Sequence, residues 1–254
     1  MNGLYHHSKP GCFALREYNH SMSTAYFLFH GRLIDFLPRE QRGVEITIQF
    51  KERQSVKHLV ESLGVPHPEI GLIQINGQRD SSGHITEDGD HIEVHPIEDG
   101  CPIEPRFVLA GHLGRLTAHL RMLGFDCYYQ NDPDDPHLAE IAVVEERILL
   151  TRDRRLLMRK AIHHGYCLRS LIPLEQLTEV IQRFELLDKT LPFHRCLRCN
   201  HPLEQVAKET ILDRLEPLTK LYFDEFHICH TCGQIYWKGS HYEQMLKMIE
   251  RIKP

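Results

Sequence analysis

Two Cys-x-x-Cys pairs, Cys196/Cys199 and Cys229/Cys232, constrain this chain of 254 residues more than any other feature. Each pair makes a short knuckle with both sulfurs on one side, and the 29 residues between Cys199 and Cys229 suffice for a hairpin that joins the knuckles. Four thiolates can then close on one structural zinc ion as a tetrahedron, which leaves no position for a reacting water. Two disulfides are the alternative, and the context disfavours them. Cys12, Cys101, Cys127 and Cys167 are scattered without pattern, and neither a signal peptide nor an apolar span is evident. A reducing, cytoplasmic setting with no membrane is therefore expected. His194, His227 and His230 lie beside the knuckles and are alternative ligands, but are expected around the metal or on the surface.

Residues 1–20 lack periodicity and read as a disordered or irregular start. From there to about residue 98 the pattern is that of a small α+β domain. Tyr26–Phe29 is an apolar run, and Val44, Ile46, Ile48 and Phe50 alternate as a half-buried strand requires. Ser55 can cap a helix carrying Val56, Leu59, Val60 and Leu63 on one face and ending at Gly64. Leu72–Ile75, the tight turn Asn76–Gly77, and Ile92 with Val94 supply further strands. In order and size this segment, 21–98, resembles the β-grasp fold of ubiquitin and the bacterial sulfur carriers. The carriers end in a free Gly-Gly, whereas here the chain runs on through Pro96–Gly100, so carrier chemistry is excluded.

The Pro- and acid-containing stretch Pro96–Pro105 reads as a linker, assigned to 99–105, and beyond it the pattern changes. Apolar runs at Phe107–Leu109, Cys127–Tyr129, Ile148–Leu150 and Tyr166–Leu168 alternate with helical stripes. That predicts an α/β domain over 106–193 with a mostly parallel sheet and its ligand site outside the carboxyl ends of the strands. Residues 194–254 hold the cysteines and a terminal helix.

The strand ends carry the candidate chemistry. Asp153 leaves the third run, either as a ligand to a divalent ion or as the cap of a helix expected over Arg154–Ala161. Asp132, Asp134 and Asp135 cluster after the second; Pro136 makes Asp135 the expected cap, leaving Asp132 and Asp134 freer. Such acids suit magnesium or manganese and hydrolysis of a phosphodiester. Arg152, Arg154, Arg155, Arg159 and Lys160, with His112, Arg115 and His119 opposite the leucines of the first helix, could grip a phosphate backbone or simply be solvated faces. Lys+Arg against Asp+Glu is 9 to 15 over residues 1–105, 12 to 12 over 106–193 and 9 to 8 over 194–254, so any nucleic-acid surface belongs to the later segments.

Arg106–Leu116, Arg121–Asp126, the Asp-rich turn, Ile148–Asp153, the paired Cys-x-x-Cys and Tyr236–His241 together resemble the Mut-seven C-terminal RNase domain family. The resemblance implies a PIN-like ribonuclease domain with a zinc ribbon, preceded in a bacterial form by a ubiquitin-like domain. It implies RNA as substrate, cut as an endo- or exoribonuclease, with Asp153 and Asp132, Asp134 or Asp135 as catalytic acids holding magnesium or manganese. Arg115, His112, Arg152, Arg154, Arg155, Lys238 and His241 would contact RNA. One departure matters: the family has an aspartate where this chain has Ala110. Natural loss of catalysis, replacement by another acid and an engineered change are competing explanations. Restoring it, Ala110→Asp, is expected to cost folding little because a strand end faces a polar cleft. The rival reading is an inactive RNA-binding adaptor whose β-grasp domain recruits a protein partner.

Overall fold

The computed structural model describes residues 22–192 and 194–252, without the side chains of 241, 245, 248, 249 and 252. The irregular start expected over 1–20 lies outside the described residues.

In the first domain, side-chain alternation decides which face each strand buries. β1 (Ser23–Phe29), β2 (Ile46–Phe50), α1 (Val56–Ser62), β3 (Ile70–Ile75), β4 (Gln78–Asp80) and β5 (His91–Pro96) form a sheet in the order β2-β1-β5-β3-β4. β1 and β5 run parallel and the other pairs antiparallel, the β-grasp arrangement. Ala25, Phe27, Phe29, Ile73, Ile75, Ile92 and Val94 face inward with Val56, Leu59 and Val60 of α1. The Ser55 hydroxyl accepts from the His58 amide and starts that helix. Asn76 and Gly77, both at positive φ (51° and 78°), close the β3–β4 hairpin in two residues. Val44 is 50% exposed and outside β2, because a turn through Gly43 (φ 71°) still occupies that stretch.

The second domain is built on β6 (Arg106–Leu109), β7 (Asp126–Tyr129), β8 (Ile148–Thr151) and β9 (Gly165–Cys167), all parallel in the order β7-β6-β8-β9. α2 (Gly114–Met122) and α3 (Asp135–Val144) follow β6 and β7, α4 (Arg154–Leu157) follows β8, and α5 (Pro173–Arg183) follows β9. The central strands bury both faces, as a parallel sheet covered by helices must. The helix expected over Arg154–Ala161 stops at Leu157, since the chain must turn through Met158–Ile162 to enter β9. The expected linker is held in place: Gly100 exchanges hydrogen bonds with Arg183, and Cys101 and Ile103 pack on the core.

The last domain places β10 (Glu204–Val206), β11 (Phe226–Ile228) and β12 (Ile235–Trp237) in an antiparallel sheet, with α6 (Pro217–Tyr222) before β11 and α7 (Ser240–Ile252) at the end. Its core is small: Ile211, Leu215, Phe226, Ile228 and Ile235, packed by Val206, Phe223 and Trp237.

A four-stranded parallel sheet has two open edges, and each neighbour covers one. At the β7 edge, Asn200 of the first knuckle accepts from the Cys127 amide (3.0 Å) and donates to Asp126 (2.8 Å). Arg121 meanwhile donates to the Leu197 and Arg198 carbonyls (3.1 and 3.0 Å). Asp126 also accepts from Arg147 and pairs with Arg195; burial opposes its ionisation, but hydrogen bonds from Arg147 and Asn200 outweigh it and hold the pKa below the usual carboxylate value. At the β9 edge, the fully buried Glu69 of the β-grasp domain accepts from the Cys167 amide (2.7 Å) and from Arg169 (2.9 and 3.2 Å). The Arg169 guanidinium lies over both the Phe36 and Tyr166 rings.

Candidate functional site

The four parallel strands end nearly level: Leu109 pairs with Tyr129 and with Leu150, and Thr151 with Cys167. Their following loops therefore emerge together at one edge. The first loop lies directly against the second, and glycine is what permits it. A Cβ on Gly111 would stand 2.6 Å from the Asn131 carbonyl oxygen, and one on Gly114 would stand 2.7 Å from the Tyr129 hydroxyl. That hydroxyl donates to the Gly111 carbonyl (2.7 Å), fastening the two loops. The Ala-Gly-His-Leu-Gly run is thus the close junction of two strand ends.

The acids at this edge are partly occupied by helix caps. Asp134, not Asp135, is the cap of α3: its Oδ1 accepts from the His137 amide (2.7 Å), and Asp135 begins the helix with Pro136 behind it. Proline fits either of the first two helical positions, since neither needs its N–H, so the sequence did not fix the register of the cap. Asp153 caps α4 through Oδ1 to the Arg155 amide (2.8 Å), and its own amide donates to the Thr151 hydroxyl (3.0 Å). Each cap uses one oxygen. Among the described residues, Asp132, Asp134, Asp135 and Asp153 do not gather three ligand atoms within 4.8 Å. Ala110 opens the first loop and its amide donates to Leu150, but the residue is only 6% exposed. The low folding cost expected of Ala110→Asp is corrected accordingly, since a carboxylate there enters the packed end of the sheet.

Basic groups surround the edge unequally. Arg152, Arg155, Arg115 and His112 are exposed. Partial desolvation lowers the His112 pKa, and the Arg152 charge lowers it further against the pull of Asp153. Arg154 is directed elsewhere: its guanidinium donates to the Phe36 carbonyl (2.8 Å) and lies over the Phe36 ring. Burial also lowers the pKa of His119. Lys238 pairs with Glu225 on the last domain, and the His241 side chain lies outside the described residues.

The four cysteine sulfurs form the one cluster with ready metal geometry in this half of the chain among the described residues: all lie within 4.8 Å of one another, with Cys196–Cys232 at 3.5 Å and Cys199–Cys229 at 3.3 Å. A tetrahedral zinc site with bonds near 2.3 Å needs sulfur separations of about 3.8 Å, so small adjustments suffice. Burial opposes ionisation of Cys196, but hydrogen bonds from the Tyr236 hydroxyl and from the Cys199 and Arg198 amides outweigh it and bring the thiol to about 6. Tyr236 bridges the knuckle, accepting from the Leu197 amide (3.1 Å) and contacting Cys196 Sγ (3.1 Å). His194, His227 and His230 are not in the cluster, and His230 pairs with Glu204. Burial pushes the Cys167 thiol up to about 11 and raises that of Cys127, so neither is a nucleophile at neutral pH.

Sequence reasoning missed Asn200, Arg195, Glu69 and Arg169, the groups that join the domains. Only the apolar neighbours of Glu69 hinted at burial. It also missed a cleft of about 390 Å³ between β7 and the first knuckle, lined by Tyr128, Tyr129, Gln130, Arg195 and His201. Among the described residues no helix is long and apolar enough to cross a membrane.

The family model described as Mut7-C RNAse domain matches residues 105–249, and that described as Mut7-C ubiquitin matches residues 22–101. No curated protein and no solved structure matches the chain.

Proposed function

The chain belongs to the Mut7-C RNAse domain family, and from that premise we propose that it is a metal-dependent ribonuclease working at the carboxyl edge of the parallel sheet, weakened by Ala110. The observation that carries this reading is the level ending of β6, β7 and β8, from which the Ala110 loop, the Asp132–Asp135 turn and Asp153 emerge together. Asp153 and Asp134 each keep one oxygen beyond the cap they make, and Asp132 and Asp135 add carboxylates, enough for a magnesium or manganese ion completed by substrate phosphate and water but not for a closed protein cage. Such an ion, when bound, polarises the phosphodiester and supplies charge to the departing oxygen. Arg152, Arg155, Arg115 and His112 hold the backbone phosphates, while Tyr128 and Tyr129 beside Arg195 offer single-stranded bases a surface to stack on. The four cysteines hold a structural zinc ion that fixes the knuckle against β7. The domains run 21–98, 106–193 and 194–254, with 99–105 between them.

Labelled single-stranded RNA tests this directly. Cleavage should require manganese or magnesium, stay slow in the chain with Ala110, and disappear in Asp153→Asn. Ala110→Asp should raise cleavage and manganese affinity while costing the metal-free protein on the order of 2 kcal/mol, because the new carboxyl is enclosed. Manganese should then restore more stability to the variant than to the chain with Ala110. An Ala110→Asp protein that folds, keeps its zinc and shows neither change sinks the nuclease assignment of this edge. Ala110 also carries a second reading, an RNA-binding adaptor without turnover, which is distinguished by RNA binding that persists in chelator with no cleavage under any metal.

A further inference from the structure

The open face of the β-grasp sheet carries a cluster with no part in the nuclease edge. β1 and β5 run parallel with Phe29 opposite Val94, so the next positions, His30 and His95, fall side by side on the face away from the core. Glu93 shares that face two residues before His95, and Gln74 on β3 pairs with Glu93. The two imidazole rings stack with centroids 4.1 Å apart and 3° between their planes. Both Nε2 atoms turn to one carboxylate oxygen: His30 Nε2 lies 2.9 Å from Glu93 Oε2 and His95 Nε2 lies 3.7 Å from it. Gln74 Oε1 is 3.2 Å from His95 Nε2.

We infer that His30, His95 and Glu93 form a surface site for a divalent transition-metal ion of the zinc or nickel class. Two imidazole nitrogens and a carboxylate oxygen lie within 4.8 Å of one another, close to the roughly 4.2 Å that two bonds near 2.1 Å span at most, so a small rotation of the side chains lets one such ion join them. Without an ion, Glu93 Oε2 is within hydrogen-bond reach of His30 Nε2 alone and His95 Nε2 turns to Gln74 Oε1, whereas an ion takes a lone pair from both nitrogens and from the carboxylate. His30, His95 and Glu93 are 34%, 29% and 45% exposed, so water can complete the coordination on the open side. Gln74 Oε1 stands where it can accept from a bound water or enter as a fourth donor. The strands fix both histidine backbones, so binding needs only side-chain adjustment.

The test is nickel titration of the full chain with its cysteine site first loaded with zinc, followed by calorimetry, and cobalt substitution followed by absorption. One further nickel equivalent is expected. Its affinity should fall more than about tenfold in His30→Ala and in His95→Ala, with a smaller loss in Glu93→Gln, which keeps the local shape. Cobalt at this site should give d–d bands without the thiolate charge transfer expected of cobalt at the four cysteines. Unchanged circular dichroism establishes that the variants are folded. A nickel isotherm that is unchanged in a folded His30→Ala/His95→Ala double variant overturns the inference. Neither result touches the nuclease reading, whose residues lie on another domain.

Discussion

Cys229→Ser protein is expected to lose its zinc and the fold of residues 194–240 with it. The last domain buries five hydrophobic side chains around Phe226, too few to offset the entropy of ordering some forty-odd residues, estimated as roughly 1–2 kcal/mol for each backbone unit. Metal–ligand free energy, about 10–16 kcal/mol in zinc-finger peptides, is therefore expected to supply most of its folding. The loss does not stop at the domain boundary. Asn200 leaves the Cys127 amide, and Arg121 loses the Leu197 and Arg198 carbonyls, so the β7 edge of the parallel sheet is uncovered. Amide exchange at Cys127 should accelerate along with exchange throughout the knuckles, while the β-grasp strands stay protected. Elemental analysis finding no stoichiometric zinc in the natural protein, or a Cys229→Ser ribbon that stays protected, contradicts this account.

Glu69→Ala should destabilise the joint between the first two domains by about 3–5 kcal/mol, the usual cost of removing one partner of a buried charge pair. Glu69 is 0% exposed, and its truncation leaves the Arg169 guanidinium unpaired between two aromatic rings and the Cys167 amide without its acceptor. Denaturant midpoints measure the loss. Because Arg169→Ala removes the orphaned charge, the double variant should recover part of it, and the cycle isolates the coupling. A single-variant loss under about 1 kcal/mol would mean that the edge contact is dispensable. The same geometry makes deletion of residues 1–98 an unclean test of where RNA binds, since it strips the cover from β9.

How much of this was legible in the sequence depended on the range of the interaction. The alternation in Ile92–Val94 and the leucine stripe of α2 gave strand and helix because each pattern repeats within its own element. The two Cys-x-x-Cys pairs announced a four-cysteine cluster because thiolate spacing within a knuckle is local. The cap of α3 was misplaced by one residue, since Pro136 tolerates two positions and only the hydrogen bond to the His137 amide selects Asp134. The burial of Ala110 was missed for a similar reason: a strand end reads as open until the Gly111 loop is seen against Asn131.

The sequence by itself determined the order and kind of the three domains and the four members of the cysteine cluster, because hydrophobic period and knuckle spacing are properties of adjacent residues. Only the tertiary structure decided that Glu69 and Asn200 close the two edges of the parallel sheet, that Arg154 is turned toward Phe36, and that His30 meets Glu93 and His95. These partners are far apart along the chain and are joined by a few hydrogen bonds or charges, which leave no periodic trace in the sequence and take effect only once strand register has been fixed.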